Sequence, residues 1–276
     1  MSSTLTAQEI QRFQDEGYLI MPDLLSAVDV DRVFTEITAV MAQRPDVPKD
    51  LIQYEPCMRD KDHTQTNELH VRKLYRMARH LTFFRELARR PALLETARDL
   101  LGPQVALAQT MLLMKPPEIS GPKVWHQDNG YGHLDPATAI STLTALDDAD
   151  VENGCLWVLP GSHRPGQVDV SDRLSAEAKA VGADLSVEVE RESDAVPVPL
   201  IAGDAVVLHC HLLHRSEGNL SPERDRRILF LRYADADAVE VYNDRRPRLG
   251  PLLRGKTRFP EVAEFERDLF AENETS

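Results

Sequence analysis

The 276-residue chain is long enough for one large domain or at most two, and its 42% hydrophobic and 28% charged residues are ordinary for a folded, water-soluble protein. A formal net charge of −13 repels phosphate backbones and anionic lipid headgroups, which argues against nucleic-acid and membrane partners. Three well-separated cysteines, with no apolar leader and no apolar stretch long enough to span a bilayer, favour a cytoplasmic protein without disulfides.

The first hundred residues are predicted to be mostly helical. A capping-box pattern begins a helix at Thr6 that ends near Gly17, and a second helix from Ser26 keeps apolar residues at helical spacing up to Pro45. Helical spacing returns over residues 70–101. These helices are therefore expected to pack on a core that is formed further along the chain.

Between the helices, residues 44–68 are polar and aperiodic and contain three prolines, which predicts a long loop. Loops of this length are usually functional or mobile. This segment is therefore a candidate lid.

After residue 103 the pattern changes to short runs of β-forming residues that are separated by turn residues. Eight strands are predicted: Val105–Met114, Val124–Asp128, Ile140–Leu146, Cys155–Leu159, Val187–Val189, Val196–Ile201, Ala205–His209 and Ile228–Tyr233. Eight short strands favour a jelly-roll or a barrel. The predicted fold is thus α+β with a mostly β core, a cupin-like double-stranded β-helix with an N-terminal helical region packed on it.

No linker composition separates the helical part from the strands, so residues 1–276 are expected to form a single domain. The helical part covers about residues 6–101 and the jelly-roll core about residues 104–235. Residues 236–276 form a C-terminal extension.

The sharpest chemical feature is the pair His126 and Asp128 in a predicted strand. Side chains at positions i and i+2 of a strand share a face, so an imidazole nitrogen and a carboxylate oxygen can meet at one point. Two histidines and one carboxylate form the facial triad of non-haem Fe(II) sites, so one more histidine is required. The short motif alone is weak evidence, and a structural role for both side chains is the alternative.

A third ligand can come from His209, His211 or His214, which lie together after an apolar strand about 85 residues further on. Their spacing does not distinguish among them, and buried structural histidines are the alternative. A zinc site that uses Cys210 lacks a second ligand pair.

If Arg226 begins the strand that is predicted at Ile228–Tyr233, it shares a face with Ile228 and Phe230, and its guanidinium is then expected on a largely apolar surface. An inward arginine requires an anionic partner, and a carboxylate bound in bidentate fashion is the natural one. The alternative is a basic surface turn.

Several motifs occur in a fixed order: Thr110–Pro117, Trp125–Asp128, Asn153–Leu156, Leu159–His163, Gly203-Asp204 and His214-x-Ser216-x-x-Asn219, followed by Arg226. Together they resemble the phytanoyl-CoA dioxygenase (PhyH) family of Fe(II)/2-oxoglutarate-dependent oxygenases over about residues 5–235. The ordered co-occurrence is far more specific than any single motif.

The resemblance implies three iron ligands: His126, Asp128 and His214, the histidine that precedes the Ser-x-x-Asn element. It also implies four cofactor contacts: Arg226 for the C5 carboxylate of 2-oxoglutarate, Ser216 in support, and Lys73 and Met111 on weaker motif similarity. Arg224 and Arg227 are the alternatives to Arg226.

The resemblance further implies a dioxygenase that uses Fe(II), 2-oxoglutarate and O₂ to hydroxylate an unactivated C–H bond of a small-molecule metabolite, releasing succinate and CO₂. Halogenase relatives carry Ala or Gly where this chain has Asp128, so hydroxylation is favoured. Two alternatives stay open: a metal-dependent hydrolase or isomerase on a cupin-like barrel, and a non-catalytic barrel that binds a small carboxylate. The sequence selects neither a substrate nor an oligomeric state.

Overall fold

The computed structural model describes residues 4–42, 51–58, 70–171 and 185–265. Its helices are α1 Ala7–Glu16, α2 Ala27–Met41, α3 Met77–His80, α4 Thr82–Leu87, α5 Pro91–Leu101 and α6 Pro260–Ala263. Its strands are β1 Tyr18–Met21, β2 Ile52–Tyr54, β3 Val71–Tyr75, β4 Val105–Lys115, β5 Lys123–His126, β6 Leu134–Asp135, β7 Ala139–Ala145, β8 Leu156–Val158, β9 Val196–Val198, β10 Ala205–His209, β11 His214–Ser216, β12 Arg226–Asp235, β13 Val239–Glu240, β14 Arg246–Pro247 and β15 Leu252–Arg254.

Two antiparallel sheets form the core. The major sheet has the strand order β1-β10-β7-β12-β4-β3-β2, with β15 also pairing with β4, and the minor sheet has the order β5-β11-β8-β9. One apolar cluster joins Leu143 and Phe230 of the major sheet to Val158 and Val198 of the minor sheet, so the inner faces of the sheets pack against each other. The predicted jelly-roll class is confirmed.

The helices cover the other face of the major sheet. The apolar stripe of α2, which includes Val33 and Ile37, lies in one buried cluster with Phe84 of α4, Leu93 of α5 and Leu229 of β12. Apolar residues at helical spacing thus meet the strand positions that alternate outward from the barrel. The N-terminal helical region packs on the sheet as the sequence predicts.

Helix α1 is fixed at both ends. The Thr6 side chain accepts a hydrogen bond from the backbone N–H of Glu9, and the Glu9 carboxylate accepts one from the backbone N–H of Thr6, which completes the predicted capping box. Gly17 ends the helix with a φ of 83°, in the left-handed region that favours glycine. The His163 imidazole bonds the carbonyl of Gln14 at 2.9 Å, so the turn after β8 anchors this helix.

The structure corrects the sequence-based elements between residues 44 and 75. Residues 51–58 are not loop, because β2 lies there and pairs with β3, whereas residues 43–50 and 59–69 of the candidate lid lie outside the described part. Residues 71–75 form a strand rather than a helix, since β3 completes its backbone hydrogen bonds on the edge of β4.

Two further predictions near the minor sheet need correction. Val187–Val189 is not a strand, although the Val187 N–H does donate to the carbonyl of Trp125. Asp128 lies outside β5 and begins a short 3₁₀ turn over residues 128–131. Gln127 is nevertheless extended, with φ −110° and ψ 138°, so the two-residue relation of His126 to Asp128 is preserved.

The described part of the C-terminal extension packs beside the turn that follows β5. Strand β13 pairs with β6 through Leu134↔Glu240 and with β14 through Glu240↔Arg246, forming a small third sheet. This pairing brings the extension next to the segment that carries Asp128. Among the described helices, none is long and apolar enough to cross a membrane.

Candidate metal centre

Three potential ligands converge where β5 and β11 pair. His126 and His214 are direct partners in that antiparallel register, and Asp128 follows two residues after His126. The Asp128 Oδ1 atom lies 3.9 Å from His126 Nε2 and 3.6 Å from His214 Nε2. Donors at roughly 2.0–2.2 Å from one ion can be no more than about 4.4 Å apart, and both of these distances meet that limit.

Each ligand is oriented by a second hydrogen bond. The His126 Nδ1 atom lies 2.8 Å from the Val124 carbonyl, and the His214 Nδ1 atom lies 2.9 Å from the Leu212 carbonyl. Because a carbonyl oxygen can only accept, each Nδ1 donates and each Nε2 presents its lone pair to the site. The Ser141 hydroxyl donates to Asp128 Oδ2, which leaves Oδ1 free to face the imidazoles.

The ionisation states also suit a cation. Burial lowers the pKa of His126 well below its usual value, so this imidazole is neutral at pH 7. Burial alone would raise the pKa of Asp128, but the neighbouring His214, His126 and Arg232 together with the Ser141 hydrogen bond hold it below its usual value. Two imidazole nitrogens and one carboxylate on a single face are the donor set of non-haem Fe(II), so the residues present fit this ion.

The other histidines of the cluster point elsewhere. The His209 ring lies 6.1 Å from Phe13 and 5.0 Å from His163, beside α1. The His211 Nε2 atom bonds the Asn129 amide at 3.2 Å. A site built on Cys210 is disfavoured, because burial raises the pKa of this thiol to about 11 and keeps it protonated.

Arg226 lies on the inner face of the barrel at the start of β12, opposite Lys115 of β4. It is 6% exposed, its Nε has no hydrogen-bond partner, and no carboxylate of the described residues lies within ion-pair distance of it. Burial lowers the pKa of Arg226 to about 10. A buried cation without a counter-ion is a site for an anion.

The alternative arginines already have partners. Arg224 is bound by Asp150 and Glu152 on the surface. Arg227 binds Asp147 at 2.7 Å, and its guanidinium lies 4.5 Å from the centre of the Phe34 ring. Geometry therefore favours Arg226 for the carboxylate.

The remaining predicted contacts lie on strands that line the barrel. Ser216 is buried on β11, two residues beyond His214. Met111 pairs in register with Phe230, and Lys73 of β3 pairs with Leu113. The Lys73 ammonium lies 5.7 Å from the centre of the Tyr75 ring. These assignments remain predictions.

Sequence reasoning missed Arg232, which lies on the same inner face as Arg226 at an even spacing along β12. Its guanidinium donates to the Asp128 carbonyl at 3.3 Å and to Asn129 Oδ1 at 2.9 Å. Burial lowers its pKa, and the Asp128 charge opposes this effect. The argument that placed Arg226 inward applies equally at position 232 and could have found it.

Sequence reasoning also missed Lys115, which lies one residue beyond the predicted strand Val105–Met114. Its side-chain Nζ donates to the carbonyls of Gly121, at 2.7 Å, and Glu217. Burial, followed by the positive charge of Arg226, lowers the pKa of Lys115 to about 6. The end of the barrel that holds Arg226 therefore contains two buried basic groups.

Two histidines and a carboxylate on a jelly-roll, with an inward arginine, define a class of protein, the non-haem Fe(II)/2-oxoglutarate-dependent oxygenases. The sequence profile of the family described as phytanoyl-CoA dioxygenase (PhyH) matches residues 13–228. The chain belongs to the phytanoyl-CoA dioxygenase (PhyH) family, whose members depend on Fe(II), 2-oxoglutarate and O₂. The resemblance, enzyme class and cofactors predicted from the sequence are confirmed.

Individual relatives agree with this family. Phytanoyl-CoA dioxygenase 1 of Oryza sativa subsp. japonica is 36% identical over 135 residues, which cover 49% of this chain and only 47% of that protein. Phytanoyl-CoA dioxygenase domain-containing protein 1 of Danio rerio is 27% identical over 255 residues, covering 79% of this chain and 86% of that protein. The crystal structure of EctD from S. alaskensis with bound Fe superimposes with a TM-score of 0.69 at 23% identity, covering 92% of this chain and 88% of that one, which supports the shared fold.

Proposed function

We propose that the chain hydroxylates an unactivated C–H bond of a small-molecule metabolite and couples this reaction to the oxidative decarboxylation of 2-oxoglutarate to succinate and CO₂. The observation that carries the proposal is the buried meeting point of His126, Asp128 and His214, within the barrel whose inner face also presents the unpaired Arg226. A metal site alone is compatible with several reactions. An adjacent buried receptor for a carboxylate favours the dicarboxylate co-substrate.

When bound, Fe(II) supplies the redox chemistry that activates O₂ with electrons from 2-oxoglutarate. The chain would hold the ion through His126 Nε2, His214 Nε2 and Asp128 Oδ1. Arg226 binds the far carboxylate of 2-oxoglutarate with charge-assisted hydrogen bonds, which fixes the direction of the co-substrate in the barrel. The apolar residues between the metal centre and Arg226, such as Phe230, exclude water and strengthen these interactions.

Asp128 supports hydroxylation as the outcome. Its carboxylate fills the third protein position beside the two imidazoles, whereas the halogenases of this class have Ala or Gly there. Ser141 and Arg232 both bond the Asp128 residue and hold it in this place. The chain therefore has the complete triad that a hydroxylase uses.

The proposed binding partners follow from the net charge of the chain and from its candidate metal centre. A small molecule is the proposed substrate, and a net charge of −13 supports the absence of nucleic-acid and anionic membrane partners. A cytoplasmic location is part of the same proposal.

Succinate formation tests the proposal against its alternatives. Purified protein with Fe(II), ascorbate and 2-oxoglutarate should release succinate and consume O₂ slowly without substrate, and faster with a substrate from a broad metabolite panel. Asp128→Ala should abolish both signals, whereas Asp194→Ala, on an exposed 3₁₀ turn, should leave them unchanged. A hydrolase, an isomerase or a binding protein would release no succinate under any of these conditions, and that result in iron-loaded, folded protein would contradict the proposal.

A further inference from the structure

A cavity of about 500 Å³ lies beside residues 107–110 of β4. Strand β3 pairs with β4 at residues 111–113, and β15 pairs with it at residues 105 and 106, so the β4 segment between them forms one wall of the cavity. The turn after β3 and the segment around β14 form the opposite rims. The cavity therefore lies between the segment of β4 that pairs with β3 and the segment that pairs with β15.

Basic side chains outnumber acidic ones around this cavity, although the chain as a whole is acidic: four arginines line it, together with the two carboxylates Glu240 and Glu261. Arg76 and Arg79 stand on one rim, and Arg246 and Arg248 stand on the other. Arg248 is bound to Glu240 and to the Ala108 carbonyl. For the other three arginines, no carboxylate of the described residues lies within ion-pair distance, so none of the described carboxylates pairs with their charges.

A concave site with an excess of one sign of charge attracts ions of the opposite sign. Scattered surface arginines in a chain with a net charge of −13 would instead be expected near some of its 45 acidic residues. Three unpaired guanidinium groups around one cavity repel one another. An anion that contacts them relieves this repulsion and gains charge-assisted hydrogen bonds.

Apolar side chains lie next to these charges. Leu107, Pro247, Leu249 and Pro251 line the cavity, and Leu249 is 50% exposed at its edge. A free inorganic anion would leave this apolar surface in water. A ligand with both an apolar body and an oxyanion would cover it and satisfy the arginines as well.

We propose that this cavity binds a small amphiphilic organic anion, and that Arg76, Arg79 and Arg246 receive its oxyanion. The oxyanion is a carboxylate or a phosphate ester, since guanidinium groups bind either in bidentate fashion.

Two contacts link this cavity to the metal centre. Glu240 of the cavity wall pairs with Leu134, shortly after the turn that carries Asp128. Gln109, also in the wall, pairs across β4 and β12 with Arg232, which bonds the Asp128 carbonyl. Backbone pairing therefore joins the cavity wall to the segment that carries Asp128, and none of the residues that line the cavity is one of the three predicted iron ligands.

A matched pair of fluorescent probes tests the binding site without iron. The anionic probe is 1-anilinonaphthalene-8-sulfonate, and the neutral probe is N-phenyl-1-naphthylamine, which lacks only the sulfonate. The full chain should bind the anionic probe at least about tenfold more tightly, because roughly 1.4 kcal/mol of charge-assisted bonding corresponds to a factor of ten. Arg79→Glu/Arg246→Glu should remove this preference and change the affinity for the neutral probe less than twofold.

The matched control is Arg12→Glu/Arg164→Glu, which changes the net charge equally at two exposed arginines away from the cavity. It should leave both affinities unchanged. Equal binding of the two probes to the wild-type chain, or equal weakening by the control and the cavity variant, would overturn the proposal. Thermal melting shows whether the charge reversals impair folding. If they do, Arg79→Gln/Arg246→Gln should still lower the affinity for the anionic probe at least threefold. An unchanged affinity in this variant would overturn the proposal.

Competition experiments distinguish a carboxylate from a phosphate ester as the oxyanion of the ligand. Displacement of the anionic probe by octanoate but not by octyl phosphate identifies a carboxylate ligand, and the reverse identifies a phosphate ester. Displacement by octyltrimethylammonium at the same concentration would contradict an anion site. Because probe binding requires neither iron nor turnover, a chain that binds the anion but never releases succinate would refute the proposed oxygenase function and leave the binding site standing.

Discussion

Replacement of Arg226 by methionine should stabilise the protein that lacks its co-substrate. Burial lowers the pKa of Arg226 from its ordinary value to about 10. At about 1.4 kcal/mol per pKa unit, holding this guanidinium charged inside the fold costs roughly 3 kcal/mol. Because the folded pKa lies below the unfolded one, this cost is present in full below about pH 10 and disappears only as the pH rises from there towards the ordinary pKa of an arginine. Arg226→Met should therefore raise the free energy of unfolding by about 1–3 kcal/mol at pH 7.

The same substitution should have the opposite effect on 2-oxoglutarate. Breaking a buried guanidinium–carboxylate pair by removing one partner costs about 3–5 kcal/mol, because the other charge is left buried and unpaired. At 1.4 kcal/mol per factor of ten, the affinity for 2-oxoglutarate should fall by roughly 10²–10³-fold. A residue with a purely structural role would not produce these two opposite signs.

Urea unfolding under anaerobic conditions measures both effects. With Fe(II) present and O₂ absent, 2-oxoglutarate should stabilise the wild-type chain by mass action and should not stabilise Arg226→Met. Arg227→Met is the matched control: its guanidinium binds Asp147 and lies over the Phe34 ring, so its loss should destabilise the chain while 2-oxoglutarate binding persists. If Arg226→Met were less stable than wild type and still bound 2-oxoglutarate, the reasoning about this arginine would be refuted.

Three other substitutions have definite expected outcomes. Arg232→Met should lower the affinity for Fe(II) or Co(II) by about 10–100-fold in calorimetric titrations, because this guanidinium fixes the turn that carries Asp128. Arg232→Lys should recover part of the affinity. An unchanged affinity in Arg232→Met would exclude that role. Burial lowers the pKa of Lys115 from 10.5 to about 6, so the wild-type free energy of unfolding should rise with pH between 6 and 10. In urea unfolding, Lys115→Met should reduce this slope by up to about 1.4 kcal/mol per pH unit. Identical slopes for the two proteins would contradict a deprotonated lysine. Thr6→Ala should cost about 1 kcal/mol of unfolding free energy through loss of the capping box, with metal affinity unchanged, and loss of metal binding would show that α1 supports the site.

Most of the fold follows from local patterns in the sequence. Short runs of β-forming residues between turn residues predicted β4, β7, β10 and β12, and the capping box predicted α1. The exception at β3 has a physical cause, because this strand gains its hydrogen bonds from the edge of β4, a contact that no local window contains. The hydrogen bond from Val187 to Trp125 likewise replaces the strand predicted there.

The residues of the candidate site were likewise only partly predictable from local patterns in the sequence. The pair His126 and Asp128 was readable from its two-residue spacing, but the third ligand depends on the register of β5 with β11, which sets His214 opposite His126. The family resemblance selected His214, and the geometry agrees with that selection. Arg232 was overlooked because no motif marks it, although its even spacing from Arg226 places it on the same face.

The most direct measurement is an anaerobic crystal structure of the Fe(II)–2-oxoglutarate complex with anomalous data at the iron edge. The account predicts one strong peak within about 2.3 Å of His126 Nε2, His214 Nε2 and Asp128 Oδ1, with the far carboxylate of 2-oxoglutarate on the Arg226 guanidinium. An iron peak at His209 and His211 instead, or a co-substrate carboxylate bound away from Arg226, would contradict it.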